Sequence, residues 1–349
     1  MDFKKIEKIL EQEPGFRIKQ AKKAIFQDLV GDWDGITTLP QDLRQKLSKK
    51  FPIEELKAEK ILTSEDNQTI KVLFELKDGF KIESVLMRHG SKNSPQVNRN
   101  TVCVSSQVGC AMNCQFCATS QLGFKRNLDA GEIVEQVLYF ARLAKRTLSS
   151  SSRFAAARVT NVVFMGMGEP LLNYENVLEA IRILNDKDGF NLGSRHISIS
   201  TCGIVEGIKK LAKESLQVNL AISLHAPNDE LRSKLMPINK AYAIEKVLKA
   251  VDDYIEKTRR RVMFEYLMID GVNDSLAKAL ELAKLLKKPL YFVNLISFNP
   301  IGHSEFKPSS GWKIKQFKET LEKAGINVTQ RHRFGKEIKA ACGQLIGKE

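Results

Sequence analysis

Gly109-Cys-Ala-Met-Asn-Cys-Gln-Phe-Cys-Ala118 places three cysteines, Cys110, Cys114 and Cys117, within eight residues. Three thiolates this close can hold three irons of a four-iron cluster and leave the fourth iron without a protein ligand. An iron with an open position can bind a substrate, as an open zinc position does. The bland readings are a zinc site or three buried thiols. Zinc sites usually close with paired C-x2-C or with His ligands, and neither a second pair nor a His lies nearby. Cysteines this dense rarely lack a metal, so the cluster is the preferred reading.

Outward from this loop, short apolar runs alternate with runs of helical period. The expected strands are Thr101–Ser105, Asn161–Met165, His196–Ser200, Val218–Leu224, Val262–Met268 and Leu290–Ile296. Helices are expected between them at Asp129–Lys145, Tyr174–Asn185, Val205–Ala212, Ile244–Glu256 and Ser275–Leu286, with a last one near Gly311–Ala324. Asp129 and Glu132 have the spacing of a capping box. Six β/α units argue for parallel strands joined by right-handed crossovers. Six are too few to close an eight-stranded barrel. The fold class expected is therefore α/β, a partial (βα)6 barrel, with its chemistry at the strand C-termini. The three-cysteine loop follows the first strand, as this requires.

Before the barrel, residues 1–65 read as a small helical accessory domain. Phe3, Ile6, Ile9 and Leu10 form one apolar stripe, and Ile18, Ala21, Ala24, Ile25 and Leu29 form another. A third helix should start after Pro40. Residues 66–99 read as a β-hairpin and a linker. Thr69–Leu76 and Phe80–Met87 alternate around Asp78-Gly79, and 88–99 is polar. The barrel is assigned to 100–330 and a C-terminal catalytic tail to 331–349. A serine run at 149–152 marks a flexible loop.

The chain has 349 residues, 43% hydrophobic, with a net charge of +14. That charge favours a polyanionic partner. It is concentrated: residues 307–349 hold ten Lys or Arg against four acids, and 141–160 hold five against none. The plain alternative is a solvated basic surface. No apolar run approaches the roughly 18 residues of a membrane span, and the first residues lack a signal-peptide layout. Six cysteines in so long a chain make no disulfide framework. The expectation is a cytoplasmic protein with no membrane partner.

Polar residues collect at the expected strand ends. Gly166-Met-Gly-Glu-Pro170 follows the second strand; its glycines let backbone approach a ligand, and Glu169 can accept from a ligand ammonium. Ser200 ends the third strand, Ser223-Leu224-His225 the fourth, and Asn299 follows the sixth. Taken singly, each is as well explained by a local cap or turn. Two further cysteines lie outside the loop: Cys103, seven residues before Cys110, and Cys342, in Ala340-Ala-Cys-Gly-Gln344. Basic neighbours of Cys342 (Arg331, Arg333, Lys336, Lys339) favour a thiolate. Cys202 reads as a small buried hydrophobe.

Together these segments resemble the RlmN/Cfr family of radical S-adenosylmethionine (SAM) RNA methyltransferases. The likeness is carried by the C-x3-C-x2-C loop, Gly-Met-Gly-Glu-Pro-Leu-Leu-Asn (166–173), Ser-Leu-His-Ala-Pro-Asn-Asp (223–229), Lys-Leu-Met-Pro-Ile-Asn (234–239), Gly-Val-Asn-Asp (271–274), Val-Asn-Leu-Ile (293–296), Ala-Ala-Cys-Gly-Gln-Leu (340–345) and the Cys103 segment. It covers nearly the whole chain. The linker 88–99 and the Ser/Ala-rich stretch 148–157 depart from the pattern.

The resemblance implies a radical SAM barrel. It implies a [4Fe–4S] cluster on Cys110, Cys114 and Cys117, and SAM held by Gly168, Glu169, Ser200, Ser223, Leu224, His225 and Asn299. It further implies that Cys342 takes a methyl group from one SAM, that a second SAM is cleaved to activate that methyl, and that Cys103 resolves the product, leaving a disulfide to be reduced. Glu83 is implied as the base that removes the ring proton; read from the residues alone it is a solvated carboxylate. RlmN-type members make 2-methyladenosine in 23S rRNA at the peptidyl transferase centre, and some also in tRNA next to the anticodon. Cfr-type members methylate carbon 8. Pro170 favours the RlmN type. A flavodoxin or ferredoxin is the implied electron donor. Two rivals are a radical SAM enzyme acting on a peptide or metabolite and a metal-stabilised RNA-binding module without catalysis. The first leaves Cys103 and Cys342 unexplained, and the second leaves the polar strand ends unexplained.

Overall fold

The computed structural model describes the whole chain except residues 2, 92–93, 149–157, 303–304, 333 and 346–349. The serine run at 149–152, most of the 148–157 stretch and Arg333 therefore lie outside the described residues.

Three short helices come first: α1 (Phe3–Leu10), α2 (Phe16–Lys22), continued by a π-helical turn Lys23–Gln27, and α3 (Gln41–Lys50). The stripes expected from the sequence face inward, with Ile6, Leu10, Ala21, Ala24 and Ile25 all buried. The helices dock on the barrel through specific bonds. Lys22 reaches Asp186 at 2.7 Å, and Arg142 donates to the carbonyls of Leu29 and Val30. The segment 1–65 is not purely helical, however. It ends in a strand, β1 (Lys57–Thr63), paired antiparallel with β2 (Thr69–Glu75).

The hairpin continues into β3 (Lys81–Ser91) and then β4 (Ser94–Cys103). Residues 88–91 and 94–99, expected as part of a linker, thus extend an antiparallel pair in which Val85 faces Cys103 and His89 faces Arg99. Polar composition hid the strand, because edge and two-sided-polar strands lack the apolar alternation that marks a half-buried one.

β4 is the hinge of the architecture. It pairs antiparallel with β3 on one side and parallel with β7 (Asn161–Phe164) on the other. Between them lie a small two-stranded sheet, β5 (Gln107–Gly109) and β6 (Phe124–Asn127), and helix α4 (Ala130–Leu148). The capping box forms as read: Glu132 N–H donates to Asp129 at 2.8 Å and Asp129 N–H to Glu132 at 3.0 Å. The parallel run continues through β8 (Ile197–Thr201), β9 (Asn219–Ser223), β10 (Val262–Met268), β11 (Tyr291–Ser297) and β12 (Asn327–Gln330). Helices α5 (Tyr174–Asn185), α6 (Val205–Leu211), α7 (Asp229–Leu235), α8 (Ile244–Thr258), α9 (Leu276–Leu285) and α10 (Gly311–Lys323) cover it. The result is an open ten-stranded sheet in the order β1-β2-β3-β4-β7-β8-β9-β10-β11-β12. Its six expected β/α strands are joined by β12, a short polar strand without a readable apolar pattern. No helix among the described residues is long and apolar enough to cross a membrane.

Candidate active site

The three-cysteine loop leaves β5 and closes over the C-terminal ends of the parallel strands. Its shape is set by local bonds. Cys110 N–H donates to the Gly123 carbonyl, Cys114 N–H to Ser120 Oγ, and Cys117 N–H to the Cys114 carbonyl. Cys110, Cys114 and Cys117 all line one cavity of about 160 Å³, together with Gly168, Glu169, Ser200, Ser223 and His225. Burial pushes the Cys110 thiol up to about 12 and the Cys114 thiol well above its ordinary value, and repulsion from Cys117 adds to both. Buried thiolates therefore need a strong cation. Among the described residues no three metal-ligating side chains converge on a single ion. A four-iron cluster instead spreads its thiolates around a cube, and three thiols around one cavity fit that need.

The strand-end residues are ordered for a ligand. Gly168 has φ +103, and a Cβ there would collide with Gln107, so the turn after β7 requires glycine. Glu169 is buried and takes hydrogen bonds from the Leu171 and Cys202 amides. Burial raises its pKa despite these bonds, which suits a carboxylate awaiting an ammonium. Ser200 and Ser223 hydroxyls stand 3.5 Å apart. His225, with φ +59, accepts from the Leu267 amide through Nδ1. Burial pushes its pKa down to about 3, keeping it neutral. Leu224 is not on the cavity wall; it is buried in the core, and its carbonyl accepts from Arg232.

A second cavity adjoins the first. Cys103, Met87, Asn299, Arg331 and Cys342 line it. Cys342 and Arg331 also line the first cavity, so the two meet at Cys342. Asn299 belongs to this second cavity and donates to the Cys342 carbonyl at 3.4 Å. Burial, then the nearby Cys342, pushes the Cys103 thiol up to about 12. All six cysteines are free thiols. The segment carrying Cys342 is docked on the three-cysteine loop: Ala118 N–H donates to the Gly343 carbonyl at 2.7 Å, and Thr119 Oγ1 to the Leu345 carbonyl at 2.6 Å.

Glu83 lies on the face of β3 that also carries Met87, buried and ion-paired to Lys71 at 2.8 Å. It is not the solvated carboxylate that its strand context suggests. Arg331 is corrected in the same sense. Expected on a basic surface, it turns inward, with Nη1 3.2 Å from the Met165 sulfur, and the thiol of Cys342 and the Glu265 carboxylate raise its pKa. Sequence reasoning missed Glu265, which is buried in the first cavity with Oε1 unpartnered and Oε2 held by Asn294. A lone acid in the apolar run Val262–Met268 was its available signal.

The profile of the Radical SAM superfamily matches residues 104–283. The chain is 49% identical over 333 residues, 95% of its length and 91% of the other's, to a probable dual-specificity RNA methyltransferase RlmN of Dictyoglomus thermophilum. It is 45% identical, over 95% of its length and 92% of the other's, to a ribosomal RNA large subunit methyltransferase N of Nitrosopumilus maritimus. A radical SAM methyltransferase from Sphaerobacter thermophilus superposes with a TM-score of 0.90 at 44% identity, covering 98% of this chain and 97% of that one. The chain belongs to the radical SAM superfamily and, within it, to the RlmN family of RNA methyltransferases. It is a methyltransferase whose cofactors are a [4Fe–4S] cluster and SAM.

Proposed function

We propose that this enzyme methylates carbon 2 of adenosine in RNA through a methyl group carried on Cys342. The observation that supports this most is the pair of adjoining cavities that meet at Cys342, one ringed by the three loop cysteines and the other holding Cys103. The relatives' names point to ribosomal RNA and, through dual specificity, to a second RNA. The substrates proposed are 23S rRNA at the peptidyl transferase centre and tRNA next to the anticodon. Pro170 favours carbon 2 over carbon 8.

Carbon 2 of adenine is electron-poor and cannot attack a methyl sulfonium. The chain's own groups divide the work. Cys342 takes the methyl of one SAM by displacement, with the Arg331 guanidinium beside it in the same cavity. When bound, the cluster with a second SAM supplies the hydrogen-abstracting chemistry that activates this methyl, so each product uses two SAM. Cys110, Cys114 and Cys117 would hold the cluster. Gly168, Glu169, Ser200, Ser223 and His225 would hold SAM, with Leu224 and Asn299 supporting through backbone and second-cavity contacts. After the methylene carbon has joined the ring, the adduct must lose one electron, which the cluster, when bound, would take back, and Glu83 takes the proton from carbon 2. Cys103 then attacks the Cys342 sulfur. An S–S bond forms and the S–CH2 bond breaks. Its electron pair goes to the methylene carbon, which gains a proton and becomes the product methyl. Two electrons from a flavodoxin or ferredoxin reset the disulfide. We place this chemistry in the cytoplasm.

Cys103→Ala tests the reading. The variant should methylate Cys342, bond to RNA and stall, leaving an adenosine joined through a methylene to the Cys342 peptide. Mass spectrometry of that peptide gives the attachment carbon. Attachment at carbon 8, or normal turnover of Cys103→Ala, would refute the assignment.

A further inference from the structure

We propose that Lys71 is a positioning residue for the reaction, one that aims the Glu83 carboxylate and docks the segment carrying Cys342. This rests on the reading of Glu83 as the base. Lys71 Nζ lies 2.8 Å from Glu83 Oε1, with the two side chains only 9% and 3% exposed. The same ammonium donates to the Lys339 carbonyl at 3.3 Å, three residues before Cys342. One cation thus touches both the base and the nucleophile's segment.

The sheet register explains how. Lys71 on β2 pairs with Val85 on β3, and Val85 pairs with Cys103 on β4. Lys71, Val85 and Cys103 form a row across three strands. Glu83 is two residues from Val85 on the same face, the diagonal neighbour of Lys71, within reach of a long side chain. The Glu83 backbone is fixed separately. Its N–H contacts the Met167 sulfur at 3.3 Å, and its carbonyl accepts from Ser105 Oγ at 2.6 Å. The ion pair with Lys71 orients its carboxylate.

Buried ion pairs of this kind are poor stabilisers compared with apolar packing of equal volume. Removing either partner strands a charge away from water. A carboxylate that must stay charged in a dry site, and stay aimed, needs such a partner. The bond to Lys339 adds a second consequence. The segment that brings Cys342 to the cavity completes the coordination of Lys71, so base and nucleophile are set by one group.

The test uses the full chain, anaerobically loaded with its cluster, and RNA carrying deuterium at carbon 2 of the target adenosine. In Lys71→Met, SAM-dependent methylation of Cys342 should slow by no more than about threefold, because the segment keeps its bonds to Ala118 and Thr119. Turnover should fall roughly tenfold or more, and reaction with the deuterated RNA should become slower than with ordinary RNA by more than in wild type. A merely structural residue would not create that isotope effect. Lys71→Arg should recover most turnover, since it keeps the cation. Combining Lys71→Met with Glu83→Gln should be slower than Glu83→Gln alone by no more than the small loss seen in Cys342 methylation, because the rest of the Lys71 effect acts through one carboxylate. The combined variant removes both buried charges together and keeps the comparison open if Lys71→Met does not fold. Normal turnover in Lys71→Met, or a further tenfold loss in the combined variant, overturns the proposal. Normal turnover in Glu83→Gln overturns the base assignment itself, and the proposal with it. A slow Glu83→Gln beside a normal Lys71→Met leaves the base assignment standing and removes Lys71.

Discussion

Replacing Arg232 with Met should loosen the SAM end of the barrel without touching any residue that lines it. Arg232 lies on α7 and is 0% exposed. Its guanidinium donates to the carbonyls of Leu224 (3.2 Å), Tyr242 (3.2 Å), Cys202 (2.6 Å) and Ser223 (3.2 Å), and to Asn239 Oδ1 (2.8 Å). Two of those carbonyls are the ends of β9 and one follows β8, so one planar fork ties the turns that present Ser200, Ser223 and His225. Methionine fills similar volume but leaves five buried acceptors unpaired. Each orphaned acceptor costs on the order of 1 kcal/mol, offset in part because a buried charge also disappears, giving about 3–5 kcal/mol net. Unfolding entropy near 2.1 cal/mol/K per residue, over 349 residues, is roughly 0.7 kcal/mol/K, so the melting temperature should fall about 4–7 °C. Thermal melts of metal-free protein read this, and SAM titration of the cluster-loaded variant should show weaker binding. Arg232→Lys should not restore it, because an ammonium cannot reach five acceptors in one plane. A melting temperature within about 1 °C of wild type, with unchanged SAM affinity, would refute the argument.

Changing Cys114 to Ala should abolish SAM cleavage and most bound iron; full iron content in that variant would remove the cluster assignment. His225 is held neutral to about pH 3, whereas an unfolded histidine takes its proton near 6.5. Its contribution is complete above pH 6.5 and is lost as pH falls toward 3, at up to about 1.4 kcal/mol per pH unit. Melting temperature should therefore drop more steeply from pH 7 to 5 in wild type than in His225→Asn, and parallel slopes would contradict this. RNA binding should weaken linearly in log salt, with a slope of about 0.7–0.9 per phosphate contact. Reversing the exposed Lys336 and Lys339 to Glu should flatten that slope, while binding insensitive to salt would point to stacking or shape instead.

The barrel was legible because its strands are buried on both faces and its helices on one. β10 reads Val-Met-Phe-Glu-Tyr-Leu-Met, and its limits fall where the apolar run does. The loop cysteines were legible for another reason: metal ligands must be close, so their spacing survives in the chain. What was hidden depends on pairing across long separations. β4 begins in a polar stretch whose strand character comes from β3, not from itself. Lys71 and Glu83 each sit on a strand where a charged residue ordinarily faces water. The chain returns to Lys71 at residue 339, 268 residues later, and Glu83 is met by Met167, so the cover over both comes from distant sequence. Arg331 misled in the same way, as one basic residue in a segment whose Lys336 and Lys339 are exposed while Arg331 lines the cavities.

The docking of Gly343 and Leu345 on the backbone of Ala118 and the hydroxyl of Thr119 gives the molecule an interlock. The dock is not a separate platform; it is the turn immediately after Cys117. Gly343, with φ +81, lies so close to the Phe116 carbonyl that a side chain there would press on the loop. The loop proposed to hold the cluster and the segment carrying Cys342 thus share one set of bonds, and a change in the shape of either is passed to the other. Under the proposed reaction, the thiol that takes the first methyl is seated by the very loop that would supply the second step, so the two half-reactions are coupled through backbone rather than through a separate signal.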